Sequence, residues 1–281
     1  MQQRGQVASR RALRARRGLE SSAFVNAIAS LHFLKLDYKV VRIPKGKARF
    51  REIYIPTPTR KRHLRSLIPF LEEVVRNQDK CGVNYAFQKG KNCALNAFQH
   101  IGYRYSLSFD LMDFFDSIKQ SHVEKLLPKF IIDECFVNGS PRQGFPTSPL
   151  IATIAFYACD LKIVDYLRSF KINAKYTRYA DDLVFGFDEI KDAGKLSTIV
   201  RQVVEEGGYR INEKKTRLQD SKNGRIIING IAIDSNGLFA TRKTQRKIRA
   251  ALHQGNLQSA AGLAEWAKCK LPNIEGGVNY E

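Results

Sequence analysis

The stretch Tyr176-Thr177-Arg178-Tyr179-Ala180-Asp181-Asp182-Leu183-Val184-Phe185-Gly186-Phe187 constrains the chain most. Two runs rich in β-branched and aromatic residues flank adjacent carboxylates, which predicts a β-hairpin with Asp181 and Asp182 at its tip. On the return strand Leu183, Phe185 and Phe187 alternate with Val184 and Gly186, so one face is committed to a core. Adjacent anions on a rigid support repel unless cations lie between them, and hard oxygen ligands of this kind suit Mg²⁺. A solvated Asp-Asp turn is the plainer reading of the pair in isolation. The rest of the chain decides between the two.

A chain of 281 residues holds one large domain or two to three subdomains with a sizeable core. Its 47 Lys plus Arg against 27 Asp plus Glu give a net charge of +20, which points to a polyanionic partner, nucleic acid first. An anionic membrane is the rival, but no run of about 18 apolar residues is present to span one. Arg10 to Arg17 is basic without the apolar run of a signal peptide close behind it. Cys81, Cys93, Cys135, Cys159 and Cys269 are odd in number, widely spaced and in no CxxC pair. They predict neither a disulfide framework nor a zinc site, but the reduced thiols of a cytoplasmic protein.

In chain order, an Arg-rich arm (1–20) precedes a helix capped by Ser21-Ser22 and running to about Leu36. Tyr38 to Ile43 and Phe50 to Ile55 read as strands joined through Pro44-Lys45-Gly46-Lys47. This basic hairpin is either a soluble turn or a triphosphate clamp with Arg51 aimed at the ligand. A basic helix from Thr59 to Asn77, kinked at Pro69, and a short helix from Ala94 to His100 follow. Along Tyr103 to Asp110, Tyr103, Tyr105, Leu107 and Phe109 face a core, while Arg104, Ser106, Ser108 and Asp110 face an open side. Ser121 is placed as the cap of a helix, and Ser148 with Pro149 as Ncap and N1 of a long helix to Phe170. Leu196 to Glu206 is helical and stops at Gly207-Gly208. A strand from Arg225 to Ile233 pairs with Leu238-Phe239, and the last forty residues are basic and helical, interrupted at Gly255 and Gly262, with a mobile Gly276-Gly277 tail. The expected class is α+β, an antiparallel sheet covered by helices on one face.

Phe109-Asp110-Leu111-Met112-Asp113-Phe114-Phe115, Gln143-Gly144-Phe145-Pro146-Thr147-Ser148-Pro149, Tyr179-Ala180-Asp181-Asp182 and Asn212 to Thr216 resemble, in order, the palm motifs of reverse transcriptases. Asn96-Ala97-Phe98-Gln99-His100 resembles the Asn-Ala-x-x-His signature of the bacterial retron branch. The resemblance implies a right-hand polymerase with fingers and N-terminal arm (1–101), palm (102–238, with a fingers insertion near 119–140) and a short helical thumb with tail (239–281). Two Mg²⁺ ions roughly 3.5 to 4 Å apart would clamp the attacking and leaving oxygens. On this resemblance Asp110, Asp181 and Asp182 hold them with the Leu111 carbonyl, and Lys215 protonates the departing pyrophosphate, with Lys214 beside it as the weaker choice. Lys45 and Arg51 hold the triphosphate, Gln143 and Gly144 line the nucleotide groove, and Phe115 excludes a 2′-hydroxyl. Asn96, His100, Asn229 and Gly230 contact RNA.

The retron branch implies an RNA-directed DNA polymerase, a nucleotidyltransferase that uses deoxynucleoside triphosphates. It would copy part of a cognate structured non-coding RNA, both template and primer, into a branched RNA-DNA product (msDNA) in the bacterial cytoplasm. Antiviral defence with a separate effector protein follows from the same likeness. Ile228-Asn229-Gly230 departs from the Val-Thr-Gly usual in retron enzymes, and Phe145 from a small residue. The short region after the palm implies a minimal thumb or one completed by a partner. The alternatives are a group II intron-like or diversity-generating reverse transcriptase, an RNA-dependent RNA polymerase, which Phe115 disfavours, and a non-catalytic RNA-binding scaffold.

Overall fold

The central sheet has four strands, and the alternation of apolar residues along Tyr105–Asp110 and Asp182–Phe187 sets its register. In the computed structural model, which describes residues 37–46 and 49–272, β3 (Tyr105–Asp110) pairs antiparallel with β7 (Asp182–Phe187), β7 with β6 (Ala174–Tyr179), and β3 with β8 (Arg217–Asp220). The order is β6-β7-β3-β8. The Arg-rich arm, the helix expected before Leu36, Lys47 and the Gly276-Gly277 tail lie outside the described residues.

One face of this sheet is apolar and aromatic. Tyr105 stacks on Phe187 at 5.7 Å, Phe185 stacks on Tyr176 at 4.7 Å and meets Phe109 edge-on at 6.1 Å. Such pairs add about 0.5–1.5 kcal/mol each beyond the area they bury. The 22-residue helix α6 (Ser148–Ser169) lies on this side and packs along α7 (Asp192–Glu206). Phe156 of α6 meets Tyr209 at 5.0 Å and Phe114 at 5.7 Å.

The second face differs from expectation. Ser106 and Asp110 are buried rather than open, because α3 (Cys93–Phe98) and a three-stranded sheet of β9 (Ile226–Ile228), β10 (Ile231–Asp234) and β11 (Gly237–Ala240) cover it. Ile226, Ile228, Ile231 and Ile233 form a core with Ala94, Ala97 and Val184. Small residues make this layer fit: a Cβ on Gly186 would come within 2.7 Å of the Tyr103 ring and 2.9 Å of His100 Nδ1. Tyr103 therefore precedes the strand and folds across the polar face, against its predicted direction.

Several boundaries also shift. β1 (Tyr38–Gly46) and β2 (Arg49–Pro56) form the expected hairpin. The basic helix is two helices, α1 (Pro58–Ser66) and α2 (Ile68–Gln78), with Leu67 between them and Pro69 in the first turn of the second. A proline there has no intrahelical hydrogen bond to lose. After α4 (Phe114–Ser117), Ser121 lies inside a 3₁₀ turn (Gln120–His122) rather than capping a helix. The helix α5 (Lys129–Cys135) then leads to the small hairpin of β4 (Phe136–Val137) and β5 (Ser140–Pro141). Thr147, not Ser148, is the N-cap of α6, and the Ser148 hydroxyl donates to the Arg142 carbonyl at 2.7 Å. The run Arg225 to Ile233 is not one strand: Asn229-Gly230 turns it back, with φ of +49° and +80°. Gly255 separates α8 (Arg242–His253) from α9 (Leu257–Ala267), whereas Gly262 sits within α9 without breaking it.

Candidate active site

The carboxylates meet because the register demands it. Asp110, the last residue of β3, lies directly across from Asp182, the first of β7, and Asp181 occupies the two-residue turn before it. Ala180 opens that turn at φ +56°, a conformation that favours glycine, so the surroundings must hold it there. Two backbone bonds tie the carboxylates' supports together: the Leu111 N–H donates to the Asp181 carbonyl at 3.0 Å, and the Asn212 N–H to the Asp110 carbonyl at 2.7 Å.

The turn is also anchored from beneath. Arg178, 1% exposed, donates to both oxygens of Asp160, 0% exposed, on α6, with the closest contact at 2.7 Å. Tyr176 donates its hydroxyl to the same carboxylate at 2.7 Å. The other arm of Arg178 reaches the Ala180 carbonyl at 3.4 Å, and its backbone bonds Val83 and Tyr85. These residues carry no expected role in the sequence reading, yet they fix the hairpin that holds two of the three carboxylates.

A cleft of about 460 Å³ opens at the carboxylates, with Ser108, Tyr179, Lys215, Arg217, Asn229 and Gly230 among its walls. Lys215 donates to Asp110 Oδ2 at 2.8 Å and Asn212 to Asp110 Oδ1 at 3.2 Å. Lys215 thus stands at a carboxylate while keeping an exposed ammonium. Burial first, then the like charges of Asp181 and Asp110, push the Asp182 carboxyl up to about 6. Asp181 is raised as well, by burial and by Asp110, with Lys215 and Arg51 opposing. Among the described residues no group of three or more His, Cys, Asp or Glu side chains is drawn into metal-ligand geometry. The donor chemistry nevertheless fits divalent ions: hard oxygens whose mutual repulsion cations would relieve.

The remaining expected residues divide. Arg51 is exposed on β2, and its charge acts on Asp181. Lys45 is exposed near the end of β1. Neither Lys45, Phe115, Gln143 nor Gly144 lines the carboxylate cleft. Phe115 is half-buried beside Phe114 at 5.8 Å and follows a turn in which Asp113 has φ +44°. The Gln143 carbonyl accepts from the Tyr54 N–H at 2.7 Å. Gly144, at φ +108°, lies so close to the Tyr54 carbonyl that any Cβ would collide with it. The close approach that Gly144 permits in this structure is to β2 of this chain.

Asn96 and His100 require a correction. They are 0% and 1% exposed, so neither offers RNA a surface here. His100 Nε2 lies 2.6 Å from Thr177 Oγ1, and Asn96 bonds Asn229. Asn229 and Gly230 do reach the cleft wall. The Asn-Gly pair between alternating apolar runs was the sequence signal for that hairpin.

Comparison with known proteins places this geometry. Residues 43–231 match the family described as reverse transcriptase (RNA-dependent DNA polymerase). The retron Ec73 reverse transcriptase of Escherichia coli is 32% identical over 217 residues, covering 68% of this chain and 67% of that protein. The retron Ec86 enzyme of the same organism is 27% identical, covering 77% and 69%. The chain spans little more than half (56%) of the retron Mx65 reverse transcriptase of Myxococcus xanthus, at 25% identity. In fold alone it is similar to telomerase from Candida albicans, with a TM-score of 0.54 at 15% identity over 73% of this chain and 45% of that one. The foamy viral protease-reverse transcriptase gives 0.50 at 19% identity over 83% of this chain and 36% of that one. The architecture is thus the right-hand polymerase fold, and no helix among the described residues is long and apolar enough to cross a membrane. The chain belongs to the reverse transcriptase family and is of the retron type.

Proposed function

We propose that this chain is an RNA-directed DNA polymerase of a retron. The observation that carries the reading is the meeting of Asp110, Asp181 and Asp182 with Lys215 at one end of the sheet, in a cleft open to ligand. Asp110, Asp181, Asp182 and the Leu111 carbonyl would hold two Mg²⁺ ions, which when bound supply charge stabilisation for in-line phosphoryl transfer. The protein's own part is positioning. Asn212 and Lys215 orient Asp110, the Arg178 anchor fixes the turn of Asp181, and Arg51 with Lys45 would bind the triphosphate. Lys215, exposed and beside Asp110, would deliver a proton to the leaving pyrophosphate. Phe115 would meet the sugar edge and exclude a 2′-hydroxyl.

On this reading the segments 1–101, 102–238 and 239–281 act as fingers with arm, palm, and thumb with tail. The substrate is one structured RNA, template and primer at once, copied from an internal 2′-hydroxyl into branched msDNA in the bacterial cytoplasm. A folded RNA that holds its own hydroxyl near the carboxylates replaces a bimolecular encounter with an intramolecular one. Antiviral defence with a separate effector protein completes the proposal. The net charge of +20 suits such a polyanion.

The test is to express the chain with the DNA upstream of its gene and recover bound nucleic acid. DNA joined to RNA, whose band shifts after RNase and debranching enzyme, is the expected result. Linear DNA with a free 5′ end, made equally from unrelated templates, would remove the retron part and leave a general reverse transcriptase.

A further inference from the structure

Asp182 is held differently from Asp110. Whereas Lys215 and Asn212 both reach Asp110, Asp182 Oδ2 accepts from Asn229 Nδ2 at 2.9 Å. Asn229 in turn accepts, through Oδ1, from Asn96 Nδ2 at 2.5 Å. Three side chains from three elements therefore form one line: α3, the β9–β10 turn and the first residue of β7.

The polarity of this line follows from charge. An ionised Asp182 has only acceptors, so Asn229 must turn its NH₂ toward it. The Asn229 carbonyl oxygen then faces Asn96, which must present its own NH₂. Reversing the Asn229 amide would set oxygen against carboxylate and NH₂ against NH₂, two repulsive contacts. The charge of Asp182 thus sets the orientation of Asn229, and Asn96 supports that orientation with the bond it donates, its own Oδ1 having no partner among the described residues. Both ends of the line are rigid: Asn96 is fully buried, and the turn carrying Asn229 rests on the isoleucine core of β9 and β10. Asn229 also keeps φ +49°, and a Cβ on neighbouring Gly230 would lie 3.5 Å from the Trp266 ring of α9. A residue serving only as a turn has no need to aim an amide at a carboxylate.

We propose that Asn229 is a positioning residue for Asp182 and that buried Asn96 steadies it through the bond it donates, so that the β9–β10 turn and α3 form the outer support of the metal-binding carboxylates. This rests on the polymerase reading. It assigns Asn96 a place behind the active site rather than on an RNA-binding surface.

The experiment compares wild type with Asn229→Gly, Asn96→Ala and the double variant. Glycine keeps the positive φ without strain while deleting the amide. Read-outs are deoxynucleotide incorporation, the rise in melting temperature on adding Mg²⁺ without nucleotide, and melting temperature without metal. Loss of an outer partner of a metal ligand costs about 10- to 100-fold in affinity or activity. The expected result for Asn229→Gly is kcat lower by about tenfold or more with nucleotide KM little changed, and more Mg²⁺ needed for the same thermal shift. Asn96→Ala should show a smaller loss of the same kind, and the double variant should be no worse than Asn229→Gly, the non-additivity of a shared line. If Asn96→Ala fails to fold, Asn229→Gly, altered at a partly exposed turn, decides alone. Unchanged kcat and Mg²⁺ response in a folded Asn229→Gly would overturn the proposal while leaving the polymerase reading intact. A wild type that incorporates no deoxynucleotide, or an Asp110→Asn variant as active as wild type, would remove the polymerase reading and this proposal with it.

Discussion

The two faces of the central sheet bury charge in opposite ways. On the α6 side, Asp160 is closed off: Arg178 takes both its oxygens and Tyr176 adds a further bond, all out of water. On the other side, Lys215 touches Asp110 and acts on Asp181 and Asp182 through its charge alone, and burial with mutual repulsion raises Asp181 and Asp182. The same hairpin carries both arrangements. A satisfied buried pair fixes geometry and resists change, whereas an under-compensated cluster invites cations, and on the proposed function this difference separates the residues that hold the fold from those that would perform chemistry.

The comparison breaks first at the open cluster. Asp110→Asn should reduce deoxynucleotide incorporation on the order of a thousandfold, since a ligand charge is lost at the centre of the reaction; single-turnover primer extension measures it. The closed face should respond through stability. Arg178→Met leaves Asp160 buried and uncompensated, a loss of about 3–5 kcal/mol, read from chemical denaturation. Equal stability of Arg178→Met and wild type would mean that the pair is ornamental.

Acid should act on the cover of the catalytic face. Burial, followed by the charge of Lys175, lowers His100 to about 3. The unfolded chain binds this proton below about pH 6.5 and the folded chain does not, so stability is complete above that pH and falls as pH drops toward 3. The contribution lost at pH 5 is about 2 kcal/mol, and His100→Gln should flatten that part of the curve. The smallest effect concerns selection rather than rate. Phe115→Ala should raise ribonucleotide use relative to deoxynucleotide use by about tenfold, while an unchanged ratio would make Phe115 a packing residue of α4.

Much of the sheet was legible because burial on one side imposes period-two patterning. Leu107 and Phe109 on β3, and Leu183, Phe185 and Phe187 on β7, announce their strands and bring Asp110 opposite Asp182. β8 was not legible: Arg217 and Leu218 are exposed at the sheet edge, and no alternation marks them. Ser106 read as solvent-facing because serine is polar, yet its small size is what lets a second layer close over it. Asn96 and His100 read as a recognition surface through their resemblance to the retron signature, and their burial comes from contacts far away in sequence, with Asn229 and Thr177. Arg178 could have been found: it falls on the strand face shared with Tyr176, and a guanidinium on an inward face requires a carboxylate partner. Asp160, an isolated acid in the apolar middle of α6, was the candidate.

Asp181→Asn, examined for melting temperature and deoxynucleotide incorporation on the same preparation, tests the division between the two faces most directly. Removing one charge from a repelling cluster should leave the melting temperature equal to or above that of wild type without added metal, while incorporation falls by about a hundredfold or more. A melting temperature several degrees lower, or incorporation close to wild type, would contradict the account: the first would make Asp181 a structural residue like Asp160, and the second would take the chemistry away from this cluster.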